Sequence, residues 1–290
     1  MMPIRRDLSF DLPAGKMTSW HPAGKHMSHF MNTLSIFFPV GERFFIESVR
    51  YYRDKGVITD ERLKKAVTAF IGQEAMHGRE HEDYNAAYAE AGFEAVEMEA
   101  IVTRLLNRLQ KILPPEYQLS VTVALEHFTA ILAHGLLEHP EMIIDADAHF
   151  RDIWNWHALE ETEHKAVAYD VYCKVMEDKK LYGYMVRVTG IIGATVIFWA
   201  LVYPFFVRNV QKDGGLFDIP GWWSAFKTQF ISPGIMRKII GPYLDFYKPG
   251  FHPWDHDNRH FVEMVESLAE RYDRKSKANP ANDDSDEAAA

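Results

Sequence analysis

Apolar residues recur every three or four positions through most of the chain, and no stretch alternates in the manner of a strand. The pattern predicts a helix opening at Pro39, where a missing N–H costs nothing, and closing at Gly56. Thr59 or Asp60 is placed to cap a second helix that runs through Ala91 to Gly92. A third spans about Glu94 to Leu113 and ends at Pro114-Pro115. A fourth runs from Glu116 to about His139, before Pro140. A short helix at 141–147 and a long one from about His149 to Glu177 complete the set. Long helices joined by short turns predict an all-α fold, an antiparallel bundle over residues 31–180. Residues 1–30 read as an irregular arm, 181–273 as a helical extension, and 274–290 as a polar, acidic, disordered tail.

The extension carries the most apolar run. Twenty uncharged residues lie between Arg187 and Arg208, long enough to match a bilayer core of ~30 Å. Thr189, Gly190, Gly193, Thr195 and Pro204 dilute the run. It reads either as a helix buried against the bundle or as a peripheral membrane contact through 188–207, with Trp222, Trp223, Lys227, Arg237 and Lys238 suited to an interface. Shorter helices broken by Pro233, Gly241-Pro242 and Pro253 follow.

Composition narrows the classes. The chain has 290 residues, with 32 Lys and Arg against 41 Asp and Glu, for a net charge of −9. Four of the acids sit in the last eight residues, which leaves about −5 elsewhere. No basic field exists to hold nucleic acid, so none is expected as a partner. The lone Cys173 excludes a disulfide framework and a cysteine-built metal site. Arg5 and Arg6 lead into Asp7 with no apolar run behind them, so no secretory signal is expected. The expected location is cytoplasmic, with the inner membrane as a contact through the apolar run.

Fourteen histidines are then the informative residues. In the second helix, Glu74 and His77 share a face at i, i+3, and His81 lies one turn on. Val67, Phe70 and Tyr84 continue that face as an apolar stripe, which belongs in a core. The long helix repeats the device: His157, Glu161 and His164 fall at i, i+4, i+7, with Trp154, Ala168 and Val171 on the same face. Glu160 and Glu163 are expected to meet solvent or Lys165. The fourth helix places Glu126 among Leu119, Thr122, Ala130, Ala133 and Leu137. In the first, Glu42 lies with Phe38, Phe45, Ile46 and Val49. Glu47 shares its face with Arg43 and Arg50, and is expected in surface ion pairs outside the ligand set. Buried carboxylates and imidazoles are costly unless paired or bound to metal. One Glu from each of two helices and Glu-x-x-His from each of two others is the ligand plan of di-metal carboxylate bundles. Two cations carry a charge of +4, which four carboxylates neutralise. The mixed donors suit two iron ions, with manganese or zinc as alternatives.

The segments FFPVGERFFIESVRYY, IGQEAMHGREHEDYN, ALEHFTAILAH and WHALEETEHKAVAYDVY resemble the bacterial family of predicted metal-dependent hydrolases, within the ferritin-like di-iron superfamily. The resemblance covers about residues 20–260. It implies a ferritin-like four-helix bundle with additional C-terminal helices, and Glu42, Glu74, His77, Glu126, Glu161 and His164 at the di-metal positions. The spacing His157-x-x-x-Glu161-x-x-His164 is similar to that of di-iron arylamine N-oxygenases, in which an extra histidine is a ligand. His157 is therefore a candidate ligand or an outer hydrogen-bond partner. His81 and Tyr84 are candidates for the outer layer, with Glu47 beside them. His127 and His134 are expected to be ordinary helix residues.

Three functions follow as expectations. The first is an O2-activating di-iron oxidoreductase with a hydrophobic small-molecule substrate and an electron donor still to be found. The second is a hydrolase that uses a metal-bridged hydroxide on an ester or phosphate. The third is a non-enzymatic metal-binding or membrane-docked bundle, and a homodimer is compatible with any of them.

Overall fold

The computed structural model describes residues 1–272, and the expected acidic tail lies outside that range. The fold is all-α, with no strand among the described residues. The helices are α1 (Lys25–Ser35), α2 (Phe38–Asp54), α3 (Glu61–Glu90), α4 (Ala95–Ile112), α5 (Pro115–Glu138) and α6 (Ala148–His164). Then come α7 (Val167–Val175), α8 (Lys180–Lys212), α9 (Ile219–Phe226), α10 (Ile235–Lys238), α11 (Ile240–Asp245) and α12 (Val265–Tyr272).

The ends obey local chemistry. Pro39 occupies the first turn of α2, and the Asp60 carboxylate caps α3 by accepting from the Leu63 N–H. Gly56 and Gly92 follow helices with φ of 68° and 95°, a region that glycine enters without a Cβ clash. Two expectations change. The arm contains α1, whose residues from His26 onward are buried. The long helix expected over 149–177 is broken at Lys165–Ala166. No Gly or Pro marks that break; there the Lys165 ammonium leaves the helix to donate to His256 O at 2.6 Å and Asn258 Oδ1 at 2.7 Å.

The packing order positions the centre. α2 lies against α3 and α5, and α6 against α5 and α3. Along α3, Val67 and Phe70 precede the Glu74–His81 segment and Tyr84 and Tyr88 follow it, all buried. Along α6 and α7, Trp154 and Trp156 come before Glu161, and Ala168 and Val171 after it, again buried. The polar residues thus form a layer between two apolar ones. Burial of such side chains contributes ~1.5–3 kcal/mol each, and this is what can carry a polar layer.

α5 and α8 are both long and apolar enough to cross a membrane by length and composition. The most apolar part of α5 is 72% buried inside the protein, whereas only 33% of that of α8 is. Met185, Ile192, Val196, Tyr203 and Val207 stand exposed along one side of α8 at helical spacing. The other side of the same helix packs on α5 and α1.

Candidate metal centre

Four helices deliver seven donors to one buried point. Glu42 comes from α2, Glu74 and His77 from α3, Glu126 from α5, and His157, Glu161 and His164 from α6. Six of them fall into two groups whose ligand atoms lie within 4.8 Å of one another, Glu42, His77 and His157, and Glu74, Glu161 and His164, while Glu126 stands beside His164. Glu161 faces both. Its Oε1 is 3.2 Å from His157 Nε2 and 3.7 Å from His77 Nδ1. Its Oε2 is 3.5 Å from His164 Nε2. Glu126 Oε2 and Glu74 Oε1 approach the same His164 nitrogen at 3.6 Å and 3.0 Å.

A metal fits this donor set on a direct observation. Both carboxylate oxygens of Glu42, Glu74 and Glu126 are buried without a hydrogen bond, as are His77 Nδ1, His157 Nε2 and His164 Nε2. Such groups cost several kcal/mol each when left alone. The far nitrogen of every ring is satisfied, by contrast. His77 Nε2 meets Glu160 Oε2 at 3.1 Å, His157 Nδ1 meets His81 Nε2 at 3.0 Å, and His164 Nδ1 meets Gln73 Oε1 at 3.0 Å. One nitrogen anchored outward and one bare nitrogen turned inward is how a metal-ligating histidine is oriented. His157 therefore points at the centre in the same manner as His77 and His164.

The family model for predicted metal-dependent hydrolases matches residues 4–257. The chain belongs to this family. No curated protein and no solved structure matches it. The match begins inside the N-terminal arm, and the arm of this hydrolase-family chain reaches the centre. Arg6 is buried, with Nη1 3.1 Å from Glu160 Oε1 and 3.0 Å from Glu163 Oε2. The Ile4 N–H also donates to Glu163, and Phe10 N–H to Glu80. Glu160 and Glu163 thus do not meet solvent or Lys165 as expected. They are buried because the arm covers this side of α6 and supplies their counter-charge. An unbroken path runs from Arg6 through Glu160 to His77.

The electrostatics follow from burial. It pushes Glu42 and Glu126 well above the ordinary carboxylate range, aided by Glu74 and Glu161 nearby. Burial raises Glu74 to about 7 against the pull of His164, and raises Glu160 to about 7 against that of Arg6. Burial would raise Glu161 too, but His164 and His157 beside it hold it well below the usual range. Burial and the neighbouring His157 keep His77 and His81 neutral, the form that binds metal.

The outer residues divide. His81 lies in the layer behind His157 and is held by Ser35 Oγ at 2.9 Å. Tyr84 is further out: its hydroxyl donates to Asn32 Oδ1 at 2.6 Å, and its ring stacks on His81. Glu47 is exposed on the outer face of α2 and accepts from Gln110, so the structure does not bring it to the centre. His127 bonds Pro242 O, and His134 lies near Asn258. Sequence reasoning did not single out Arg6, Gln73 or Thr129, whose hydroxyl donates to Glu161 Oε2. Gln73 and Glu160 each sit one residue before a candidate ligand, a signal in plain view, whereas nothing local marks Arg6.

The centre opens on one cavity of about 350 Å³, to which Glu42, His157 and Glu161 contribute. The other walls are mostly apolar residues of α1, α2, α4, α5, α6, α8 and α10, with Tyr117, Thr129, Thr189 and Gln229 among them, and no Lys or Arg lines it.

Proposed function

We propose that this protein is a dinuclear metal-dependent hydrolase that acts on an uncharged ester. The observation that carries the reading is the junction between the donor cluster and the cavity. Glu42, His157 and Glu161 form the only charged or imidazole part of a wall that is otherwise mostly apolar, with Tyr117, Thr129, Thr189 and Gln229 as its uncharged polar members. A phosphate substrate would enter without a single lysine or arginine to meet it, so a neutral ester is the better fit. We also infer a ferritin-like arrangement of α2, α3, α5 and α6, because they carry the Glu, Glu-x-x-His, Glu, Glu-x-x-His plan.

Two bound divalent ions would supply Lewis acidity and a water acidified towards neutral pH. The protein's own residues do the rest. Glu161 spans the two groups and fixes their separation, steadied by the Thr129 hydroxyl. Glu160, His81 and Gln73 each hold one imidazole in its ligating orientation. Phe38 and Trp154 pack on His81 and His157 and keep bulk water from that side.

The oxygen-activating reading draws on the ligand plan and the third histidine, and the family description favours hydrolysis. One experiment separates them. Metal-stripped protein is reloaded with zinc, manganese or ferrous iron, then tested on p-nitrophenyl esters and for O2 consumption. Ester cleavage that is lost with chelator and restored by metal supports the proposal. O2 consumption by the iron form with no ester cleavage by any form overturns it in favour of the oxidoreductase.

A further inference from the structure

The cavity has a shape as well as a polarity. On α5 its floor is a single stripe, Tyr117, Val121, Leu125, Thr129, Leu132 and Leu136, at steps of three and four. At 1.5 Å per residue this stripe runs roughly 28 Å. Thr129, the residue bonded to Glu161, stands off-centre on it. About 18 Å of floor lies on the Tyr117 side and about 10 Å on the Leu136 side. The longer arm is walled by Leu105 and Leu109 of α4 and by the small residues of α8.

The two glycines among those small residues differ. Gly190 packs on Ser120, where a Cβ would fall 2.0 Å from the hydroxyl. That contact brings α8 against the start of α5. A Cβ at Gly193, one turn further along, meets nothing within 4 Å. Glycine in a helix interior is less favourable than alanine, and here it faces the cavity instead of a packed neighbour. α4 stands off from α8 and is tied to it at one end, where Arg208 and Lys212 pair with Glu94 at 3.1 Å and 3.2 Å.

We propose that this cavity is the binding site for a linear apolar chain, laid along α5 beneath Gly193, with its reacting group at Thr129 and Glu161. The substrate class is then an ester of a medium- or long-chain acyl or alkyl group, with the longer chain on the Tyr117 side. The proposal rests on the hydrolytic reading for its chemistry, but not for its test. A chain free in solution and a chain drawn from a lipid surface would fit equally, and the exposed stripe on the outer side of α8 makes the second source worth an arm of its own.

Binding is measured with 1-alkanols from hexanol to dodecanol, which have no bond to hydrolyse, so the outcome is independent of the catalytic reading. Affinity is expected to rise about fourfold per added CH2, with one alcohol per chain. Gly193→Leu fills the longer arm from the α8 side and Val121→Phe fills it from the floor. Either is expected to weaken dodecanol at least tenfold and hexanol much less, while helicity and metal content stay at wild-type levels. Native mass spectrometry after incubation with phosphatidylcholine vesicles gives the second arm: a retained lipid assigns the bilayer as source, and its absence beside alkanol binding assigns a soluble substrate. The proposal is overturned if wild-type protein shows no saturable dodecanol binding, or if both folded variants bind dodecanol as wild type does.

Discussion

The two halves of the metal centre differ in charge and in access. Glu42, His77 and His157 make a histidine-rich half, and two of these residues, with Glu161, line the cavity. Glu74, Glu126 and His164 make a carboxylate-rich half, and none of the three lines that cavity. More carboxylates bind a divalent ion more tightly. More imidazole and an open side leave room for a substrate. On the proposed reading the labour would divide: the enclosed half would hold its ion, and the open half would present its ion to the cavity.

The severest way to break this division is to remove the residue common to both halves. Glu161→Ala should take the protein from about two metals per chain to none, with activity lost alongside, as read by elemental analysis. Substitution within one half should be milder and asymmetric. His157→Ala should leave about one tightly held metal, whereas His164→Ala should weaken the tighter site itself, because it removes the one imidazole of the carboxylate-rich half. Equal losses from the two variants would show that the halves are not distinct.

The outer layer comes next. Arg6→Met leaves Glu160 and Glu163 buried without their cation, at a cost on the order of 3 kcal/mol, or a fall in Tm of roughly 5–10 °C. Glu160→Gln keeps the size and loses the strong acceptor behind His77, so metal affinity should fall ~10–100-fold with little change in Tm. The metal-free protein should also respond to pH. Glu74 and Glu160 are raised from 4.5 to about 7 by burial. An acid raised in the folded state favours folding while it stays protonated, so the contribution is full below 4.5 and is lost as pH climbs to about 7. Thermal melts of metal-free protein should therefore drop across that window, and added metal should remove the drop. The smallest effect belongs to Glu47→Ala, a surface change that should leave metal content unaltered and stability within about 0.5 kcal/mol.

These variants also mark how far the sequence could be read. The helices that carry the candidate ligands announce themselves, because a carboxylate and a histidine on an otherwise apolar stripe are costly in a core unless paired or bound to metal. Pro39, Asp60, Gly56 and Gly92 fix their ends through local backbone chemistry. The break at Lys165 has no such mark, and the acceptors that its ammonium meets lie about 90 residues away. Glu160 and Glu163 read as surface residues because helical spacing says which face a side chain takes, not what later covers that face. Arg6, which covers it, lies more than 150 residues away in sequence. The cavity was illegible for a similar reason. Gly190 and Gly193 dilute an apolar run in the sequence, and only the packing of α8 on α5 gives them a purpose.

The most direct test of the account is metal stoichiometry of purified wild-type protein beside Glu161→Ala, measured after dialysis against a weak chelator. The account predicts about two metal ions per wild-type chain and none in a variant that remains helical. Two ions retained by Glu161→Ala, or none bound by wild type even after reloading, would contradict it.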